Sequence, residues 1–308
     1  MKYIPTINLS HNEWLKERKI GGSSVASIFG CNPWATPLDA YNQLIDPIGS
    51  QIETNSRMIA GNKLEAVVME YWTETTGKKA IQDNKIRIHP EHDFLRANMD
   101  GVILANEEEH TGVLEIKTTG SFTWKAWGGS IPEHYYCQLQ HYLNVTGYSW
   151  GEFAVLVDGH EFHNIRFERD QEFIDLMTDQ LVRFWNDHIL AETPPEPSNE
   201  NDLKTLYPSH IPEKTIEAVN GMSEQIEQLI LLKEEIKLLT DSKKEMELRI
   251  KKEMGDAEAV MSGENMLVTW KQGKPKQMFN RKSFGADHPD LLNKYTNEKP
   301  GNRVFLTK

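Results

Sequence analysis

The sequence predicts a domain of the α/β class, followed by a long helix and a small C-terminal segment. Apolar residues recur with helical spacing over residues 61–75 and again over residues 132–146. Residues 112–118, 150–157 and 162–167 instead have the alternation and the β-branched and aromatic composition of strands. Helices and strands that alternate along one chain are typical of a sheet covered by helices.

The composition is that of a globular protein with an acidic surface. The chain has 308 residues, of which 38% are hydrophobic and 26% charged, and its formal net charge is −12. This charge excludes a protein that coats nucleic acid indiscriminately, so any DNA contact must be local. The two cysteines, Cys31 and Cys137, form no zinc motif. No run of about 18 apolar residues is present, and we expect a cytoplasmic protein without a membrane contact.

The first predicted helix follows a Gly-Gly-Ser stretch. Gly21 and Gly22 allow a close backbone turn, and Ser23 is predicted to cap the helix that follows. The N–H groups of its first turn would then face a bound anion, although a plain helix cap needs no ligand. A second helix is predicted from Pro37 to Ile45.

The helix predicted over residues 61–75 has a carboxylate at the edge of its apolar stripe. The stripe consists of Leu64, Val67, Val68, Tyr71 and Trp72. Glu65 lies at its border. Its side chain is either solvated or points inward, where it would join a cation site.

The strand predicted over residues 112–118 presents two charged side chains on one face. Alternation places Glu115 beside Lys117, and the preceding strand pair brings Asp100 next to Glu115. Two adjacent carboxylates repel each other, and a hard cation such as Mg²⁺ or Mn²⁺ would relieve that repulsion. The Ile116 carbonyl is a candidate third ligand. The alternative is an exposed hairpin with alternating surface charges.

Gln138 and Tyr142 share one face of the helix predicted over residues 132–146, because they are four residues apart. A Gln amide can hydrogen-bond a phosphate or a metal-bound water without adding charge. Gln138 is equally compatible with a polar position on a half-exposed helix. After two further strands, a helix capped by Asp170 is predicted to finish the domain near Ala191, with Leu176 among its buried residues.

Five motifs occur in the order and spacing of a known family. They are the stretch from Arg18 to Trp34, Gly61-x-x-Leu-Glu65, Met99-Asp100-Gly101, Glu115-Ile116-Lys117 and Gln138-x-x-x-Tyr142. Over residues 10 to about 190 the chain resembles the YqaJ-like viral recombinase family, which groups with the lambda exonuclease-like branch of the PD-(D/E)XK nucleases. The resemblance implies a restriction-endonuclease-like core, in which a mixed central sheet is flanked by helices.

The resemblance also implies roles for individual residues. Asp100 and Glu115 would coordinate Mg²⁺, or Mn²⁺ in its place, with help from the Ile116 carbonyl. Lys117 would orient the attacking water, Glu65 would assist the metal site, and Gln138 would lie beside the water or the scissile phosphate.

A second group of positions would contact the DNA and its 5′-phosphate, namely Arg18, Ser23, Asn98, Gln138 and Tyr142. Lys16 and Lys19 are close enough to Arg18 in the sequence to supply the same charge. Asn98-Met99 departs from the Ser-Pro that often precedes the Asp in this family, although an Asn can still donate a hydrogen bond.

For the whole protein the resemblance implies a 5′-to-3′ exonuclease that acts on double-stranded DNA ends and leaves 3′ single-stranded tails for recombination. It implies a single-strand annealing recombinase as partner, a ring-shaped homotrimer, and a phage or prophage origin in a bacterial host. Two alternatives remain: an endonuclease or 3′-directed nuclease of the same fold, and a non-catalytic DNA-binding or assembly module.

Composition predicts four segments: the nuclease domain at 1–192, a Pro-rich linker at 193–212, a helical segment at 213–255 and a small basic domain at 256–308. The helical segment has a heptad pattern typical of a coiled coil or helical hairpin, formed by Met222, Leu229, Leu232, Ile236, Leu239, Met246 and Ile250, with Lys243 interrupting it. Packing on its own chain and self-association are both compatible with this pattern.

From residue 265 onward the sequence contains nine basic and only three acidic residues, and aromatic residues are interspersed among them. This charge suits phosphate contact and base stacking, a solvated basic face or the docking of a partner protein. A hairpin is predicted near residues 259–270 and a terminal strand from Arg303 to Leu306.

Overall fold

A computed structural model describes residues 2–50, 55–219, 221–299 and 301–307. The chain forms two compact units, Met1–Leu206 and Tyr207–Lys308. The segment predicted as a linker contains a helix, Glu200–Leu206, which belongs to the first unit. Its Asp202 is buried and accepts hydrogen bonds from the Thr36 hydroxyl and the Ser198 N–H, so polar contacts hold this part of the predicted linker in place.

The first unit contains eight strands and eight helices among its described residues. The strands are β1 Lys2–Pro5, β2 Ala80–Gln82, β3 Lys85–Ile88, β4 Arg96–Ala97, β5 Gly101–Ile103, β6 Gly112–Thr119, β7 Trp150–Val157 and β8 Glu161–Glu168. The helices are α1 His11–Lys16, α2 Gly22–Phe29, α3 Pro37–Ile45, α4 Ser56–Thr76, α5 Ser121–Ala126, α6 Glu133–Thr146, α7 Gln171–Phe184 and α8 Glu200–Leu206. A π-helical turn, Trp185–Leu190, extends α7.

The central sheet has five strands in the order β2-β5-β6-β7-β8. Strands β6 and β7 are parallel, and the other neighbours are antiparallel. The sheet is therefore mixed, as predicted. A second, antiparallel sheet has the order β1-β3-β4.

Alternation along β6 and β7 divides the core into two layers. Val113 and Phe153 point toward α2, α6 and α7, where they join the larger apolar cluster. Leu114 and Ile116 point to the opposite face and pack with Val68 and Trp72 of α4. Helices thus cover both faces of the sheet, which gives the layered α/β arrangement that the sequence predicts.

Two helices turn different faces to the core than predicted. In α4 Val67 and Tyr71 are 54% and 44% exposed, whereas Val68 and Trp72 are buried. Tyr71 lies at the edge of the buried face, where its ring meets Phe162 edge-on. In α7 Leu176, predicted to be buried, is 61% exposed.

The buried face of α7 is formed instead by Ile174, Met177, Leu181 and Phe184. These residues recur at spacings of three and four, so they form a helical stripe that excludes position 176.

The second unit consists of α9 Met222–Met254, the antiparallel hairpin of β9 Ala259–Ser262 and β10 Asn265–Thr269, α10 Arg281–Asp287 and α11 Pro289–Lys294. Gly255 ends α9, and the hairpin lies where it is predicted. The predicted strand from Arg303 to Leu306 is wrong: residues 301–307 have no strand partner and Val304, Phe305 and Leu306 are each about three-quarters exposed. An apolar run alone does not make a strand, because a strand needs a free edge to pair with.

Candidate functional site

The centre of the candidate site is the junction between β5 and β6. Gly101 pairs with Leu114 in the antiparallel register, so Asp100 lies directly before the paired residues of β5 and beside Glu115. The Ile116 N–H donates a hydrogen bond of 2.7 Å to Oδ2 of Asp100. The backbone of β6 thereby holds the Asp100 carboxylate in place at the end of the ladder.

Lys117 lies on the same face of β6 as Glu115, as strand alternation predicts. Its Nζ donates to Oε1 of Glu115 at 2.6 Å and to Oε1 of Gln138 at 3.2 Å. The ammonium also lies 4.5 Å from the ring centroid of Tyr135, within the range of a cation–π contact. These partners fix the ammonium at the floor of the site.

Helix α6 provides the opposite wall. The Gln138 amide donates to Oε1 of Glu115 at 2.7 Å and to the Tyr142 hydroxyl at 3.0 Å. That hydroxyl donates in turn to the Asn98 carbonyl at 2.9 Å. A continuous polar chain therefore joins β6, α6 and the loop before Asp100, and the helical spacing of Gln138 and Tyr142 produces it.

One oxygen of Glu115 has no partner. Glu115 is 2% exposed, and its Oε2 is buried without a hydrogen bond in the described residues, whereas Oε1 accepts two. Burial and the Asp100 charge raise the pKa of Glu115 to about 8. Burial also raises the pKa of Asp100, and burial with the Asp100 charge raises that of Glu65 to about 7. The three acids are held close together with too little positive charge nearby.

Lys117 is the cation that these acids face. Burial lowers its pKa, but Glu115 and Asp100 outweigh burial and leave the pKa above its usual value. One ammonium opposes three carboxyl groups, so a divalent cation would remove the remaining repulsion.

The donor set fits a hard cation with an incomplete protein shell. No group of three or more His, Cys, Asp or Glu side chains in the described ranges is arranged to hold a metal ion. Asp100, the free Oε2 of Glu115 and the Ile116 carbonyl are oxygen donors of the kind that Mg²⁺ accepts. Mg²⁺ usually keeps several waters and takes one or two carboxylates from the protein. The orphan oxygen is therefore compatible with the predicted ligands.

All ten predicted site residues line one cavity of about 630 Å³. The basic end of the cavity is the part around Arg18, whose guanidinium lies 3.5 Å from the Ser23 hydroxyl. The other predicted residues in the lining are Glu65, Asn98, Asp100, Glu115, Ile116, Lys117, Gln138 and Tyr142. The structure thus brings together residues that are up to 124 positions apart in the sequence, from Arg18 to Tyr142.

Arg18 at the basic end has few partners among the described residues. Its guanidinium reaches the Ser23 hydroxyl at 3.5 Å and lies 5.9 Å from the Trp14 ring. Burial lowers its pKa. Lys19 also lines the cavity, whereas Lys16 is absent from the described lining residues. Of the two lysines that could supply the charge of Arg18, only Lys19 is therefore in place among the described residues.

The prediction that Ser23 caps α2 is wrong. Gly21 is the N-cap residue, and the Ser24 hydroxyl accepts from the Gly21 N–H at 3.0 Å and donates to the Gly21 carbonyl at 2.9 Å. Ser23 lies in the first turn and is exposed, so its hydroxyl faces the cavity beside Arg18. Two adjacent serines after two glycines made the capping position ambiguous.

Gly22 has a packing role at the site. A Cβ at this position would lie 2.6 Å from the Tyr142 ring, closer than real Cβ contacts. Only glycine therefore lets the start of α2 approach α6, and this approach sets the width of the cavity between them.

Tyr135 and Arg57 are among the cavity residues that were not predicted from the sequence. Tyr135 precedes Gln138 by three positions, so helical spacing could have placed it on the same face. Arg57 lies in the first turn of α4, which begins five residues before the start predicted for that helix. The signal for the earlier start is Asn55, whose side chain caps α4 by accepting hydrogen bonds from the Arg57 and Met58 N–H groups.

Comparison with known proteins identifies this arrangement. Over 59% of its length the chain has the fold of the alkaline exonuclease LHK-Exo from Laribacter hongkongensis, with a TM-score of 0.51, 24% identity and 94% of that chain covered. Residues 13–149 match the YqaJ-like viral recombinase domain. The chain is also 35% identical to the uncharacterized protein YqaJ of Bacillus subtilis strain 168, across 94% of this chain and 92% of that protein.

The protein belongs to the YqaJ-like viral recombinase family, which confirms the resemblance seen in its motifs. Among the helices of the described residues, none has the length and apolar character needed to cross a bilayer.

Proposed function

We propose that the protein is a Mg²⁺-dependent DNA nuclease, and more narrowly a 5′-to-3′ exonuclease that digests double-stranded ends to 3′ single-stranded tails. The observation that carries the proposal is the buried, unpartnered Oε2 of Glu115, beside Asp100 and Lys117 at the floor of a cavity. The structural neighbour LHK-Exo is described as an alkaline exonuclease, which agrees with the proposed activity.

Each side chain of the floor has a defined task in this proposal. Asp100, Glu115 and the Ile116 carbonyl hold the cation, which when bound supplies a Lewis acid that polarises the phosphate and acidifies a water. The raised pKa of Lys117 keeps it an ammonium at neutral pH, so it orients a water by donating to it and does not remove its proton. Gln138 fixes the direction of the Lys117 ammonium through its amide oxygen.

Glu65 acts at the margin of the floor. It is half-buried, and burial together with the Asp100 charge raises its pKa to about 7, although the Lys117 charge opposes this rise. A carboxyl group that titrates near neutrality can accept a proton from a water in the site. We therefore assign it an assisting role beside the cation.

The basic end of the cavity suits a terminal phosphate. Among the described residues, the Arg18 guanidinium has one weak hydrogen-bond partner, the exposed Ser23 hydroxyl, and Asn98 lines the same cavity. A guanidinium can donate two parallel hydrogen bonds to two oxygens of one phosphate, and a hydroxyl adds a further donor. With an anion-binding pocket at Arg18 and the cleavage site at the acidic floor, the cavity would select DNA whose 5′ end carries a phosphate.

The overall charge restricts where DNA can bind. The chain carries a net charge of −12, so the duplex is repelled from most of the surface and attracted to the local basic end of the cavity. The family also leads us to propose a ring-shaped homotrimer and a single-strand annealing recombinase as partner.

The polarity of the reaction is tested with matched duplexes that carry a 5′-phosphate or a 5′-hydroxyl. Arg18→Ala should slow digestion of the 5′-phosphorylated duplex by about 10-fold to 100-fold, the effect of one lost charged hydrogen-bond partner. Digestion of the 5′-hydroxyl duplex should change little. Lys16→Ala, outside the described cavity lining, is the matched control. Equal losses on both duplexes, or faster release of label from 3′ ends, would favour an endonuclease or a 3′-directed enzyme.

A further inference from the structure

The surface of α9 contains more exposed apolar area than a solitary helix keeps in water. The helix spans Met222–Met254 and 33 residues, about 50 Å at 1.5 Å per residue. Only Met254 is buried among its side chains, while Ile236 and Leu239 are 61% and 63% exposed. Helices in proteins gain most of their stability from packing an amphipathic face, and contiguous exposed apolar patches mark interaction sites.

Five of the exposed apolar residues of α9 fall on one heptad seam, which Lys243 interrupts. If Ile236 is assigned to position a, the a and d positions from 229 to 250 are Leu229, Leu232, Ile236, Leu239, Lys243, Met246 and Ile250. A seam that repeats every 3.5 residues packs against a second helix of similar pattern. A copy of the same helix meets this requirement.

We propose that α9 pairs with α9 of a second copy of this chain in an antiparallel coiled coil centred on residue 241. In this register the core layers are Leu232 with Ile250, Ile236 with Met246, and Leu239 with Lys243 of the second copy. Lys243 already pairs with Glu247 of its own helix at 3.5 Å, so its charged end has a partner while its aliphatic stem covers Leu239.

Charge complementarity selects the antiparallel orientation. In the centred register Glu235 flanks Arg249 of the second copy, and Lys233 flanks Glu247 of the second copy. The two-fold axis repeats each pair, which gives four contacts of opposite charge and none of like charge at the flanking positions. Opposite charges at these positions set partner and orientation in coiled coils.

The parallel orientation lacks this complementarity. It would place Glu235 beside Thr240 and Arg249 beside Met254, and neither pair attracts. It would also put Lys243 against Lys243 in one core layer, so two ammonium groups would face each other in an apolar seam. Pairing about a two-fold axis is closed, and each coil therefore joins two copies and no more.

The first experiment compares two exposed apolar residues of α9 that differ in their relation to the seam. Ile236 lies in the seam, and Leu238, 70% exposed, lies outside it. In sedimentation velocity across protein concentrations, the full-length chain should associate in multiples of two copies. Ile236→Glu should weaken this step by at least about 100-fold, as expected when an unpaired charge enters an interface core.

Leu238→Glu should leave the association unchanged. Ile236→Glu should halve the mass even if the nuclease units assemble among themselves. A parent chain that shows no self-association at tens of micromolar, an unchanged mass for Ile236→Glu, or an equal loss in both variants would overturn the proposal.

The second experiment tests orientation by charge exchange. Glu235→Arg should weaken the pairing, because it places an arginine beside Arg249 of the second copy. Arg249→Glu should also weaken it, because it places a glutamate beside Glu235. The double variant should restore at least about 10-fold of the lost affinity. Circular dichroism of each variant checks that α9 remains helical. Absence of rescue in helical variants would exclude the antiparallel register.

Discussion

Replacing Glu115 by Gln should stabilise the metal-free fold at alkaline pH. Burial and Asp100 raise the pKa of this carboxyl from 4.5 to about 8, so the folded state binds its proton more tightly than the unfolded state. The stability associated with that proton is fully present below pH 4.5 and is lost as the pH rises through about 8. Gln has the shape of the protonated carboxyl group and cannot ionise, so the variant keeps this stability at alkaline pH.

The magnitude follows from the shift. Each pKa unit corresponds to about 1.4 kcal/mol, which makes the cost of ionising Glu115 on the order of 3–5 kcal/mol for this buried, charge-coupled group. At pH 5 the parent and Glu115→Gln should differ little in the free energy of unfolding. At pH 8.5 the variant should be more stable than the parent by about 2 kcal/mol or more. This gain is smaller than the ionisation cost of Glu115, because the neutral Gln also removes the charge that pairs with Lys117.

The assay is urea unfolding of the full chain in chelator at both pH values. Glu74→Gln, on the exposed face of α4, is the matched control and should change nothing at either pH. The reasoning is refuted if Glu115→Gln is no more stable than the parent at pH 8.5, because the acids would then not be in repulsion.

Three further predictions concern the cation, the packing of α2 and the basic tail. Binding of Mg²⁺ or Mn²⁺ at pH 7 should release protons, because Glu115 and Glu65 have pKa values of about 8 and 7; calorimetry in buffers of different ionisation enthalpy measures this, and buffer-independent heats would contradict it. Gly22→Ala should cost about 1–3 kcal/mol of stability through its clash with the Tyr142 ring, measured by urea unfolding. Gly21→Ala, where a Cβ meets only an ordinary contact of 3.6 Å, should cost less than about 1 kcal/mol, and equal losses would remove the packing argument. Deleting residues 271–308, a basic segment that leaves the hairpin complete, should lower duplex affinity or recombinase binding without changing metal affinity, and unchanged values for both ligands would exclude either role for the tail.

Strand alternation was sufficient to predict the floor of the site. A period of two places Glu115 beside Lys117 whatever surrounds them, and the antiparallel neighbour brings in Asp100. Helical spacing did the same for Gln138 and Tyr142, since four residues make one turn. These local rules do not depend on distant packing, so the predicted contacts were found.

The errors concern properties that distant parts of the chain decide. Which face of α4 is buried depends on how the helix packs on the sheet, where Val68 and Trp72 meet Leu114 and Ile116, so Val67 and Tyr71 were misplaced. Ser23 was predicted as the cap of α2, but the helix begins two residues earlier, after Gly21, and this start depends on backbone geometry that the serine does not determine. The strand predicted from Arg303 to Leu306 had the right composition but no edge to join, and sequence does not show where edges are free.

In the proposed nuclease, Asp100 and Glu115 hold the cation and Lys117 orients the water that cleaves DNA. The most direct test of these roles is the digestion of linear duplex, labelled at one end, by the parent and by a Glu115→Gln, Lys117→Ala double variant in Mg²⁺ and in chelator. The account predicts rapid release of 5′ label by the parent in Mg²⁺, no release in chelator, and a loss of at least about 1,000-fold in the double variant, while a Glu74→Gln, Lys79→Ala control keeps the parent rate. Digestion by the double variant at the parent rate, or by the parent in chelator, would contradict it.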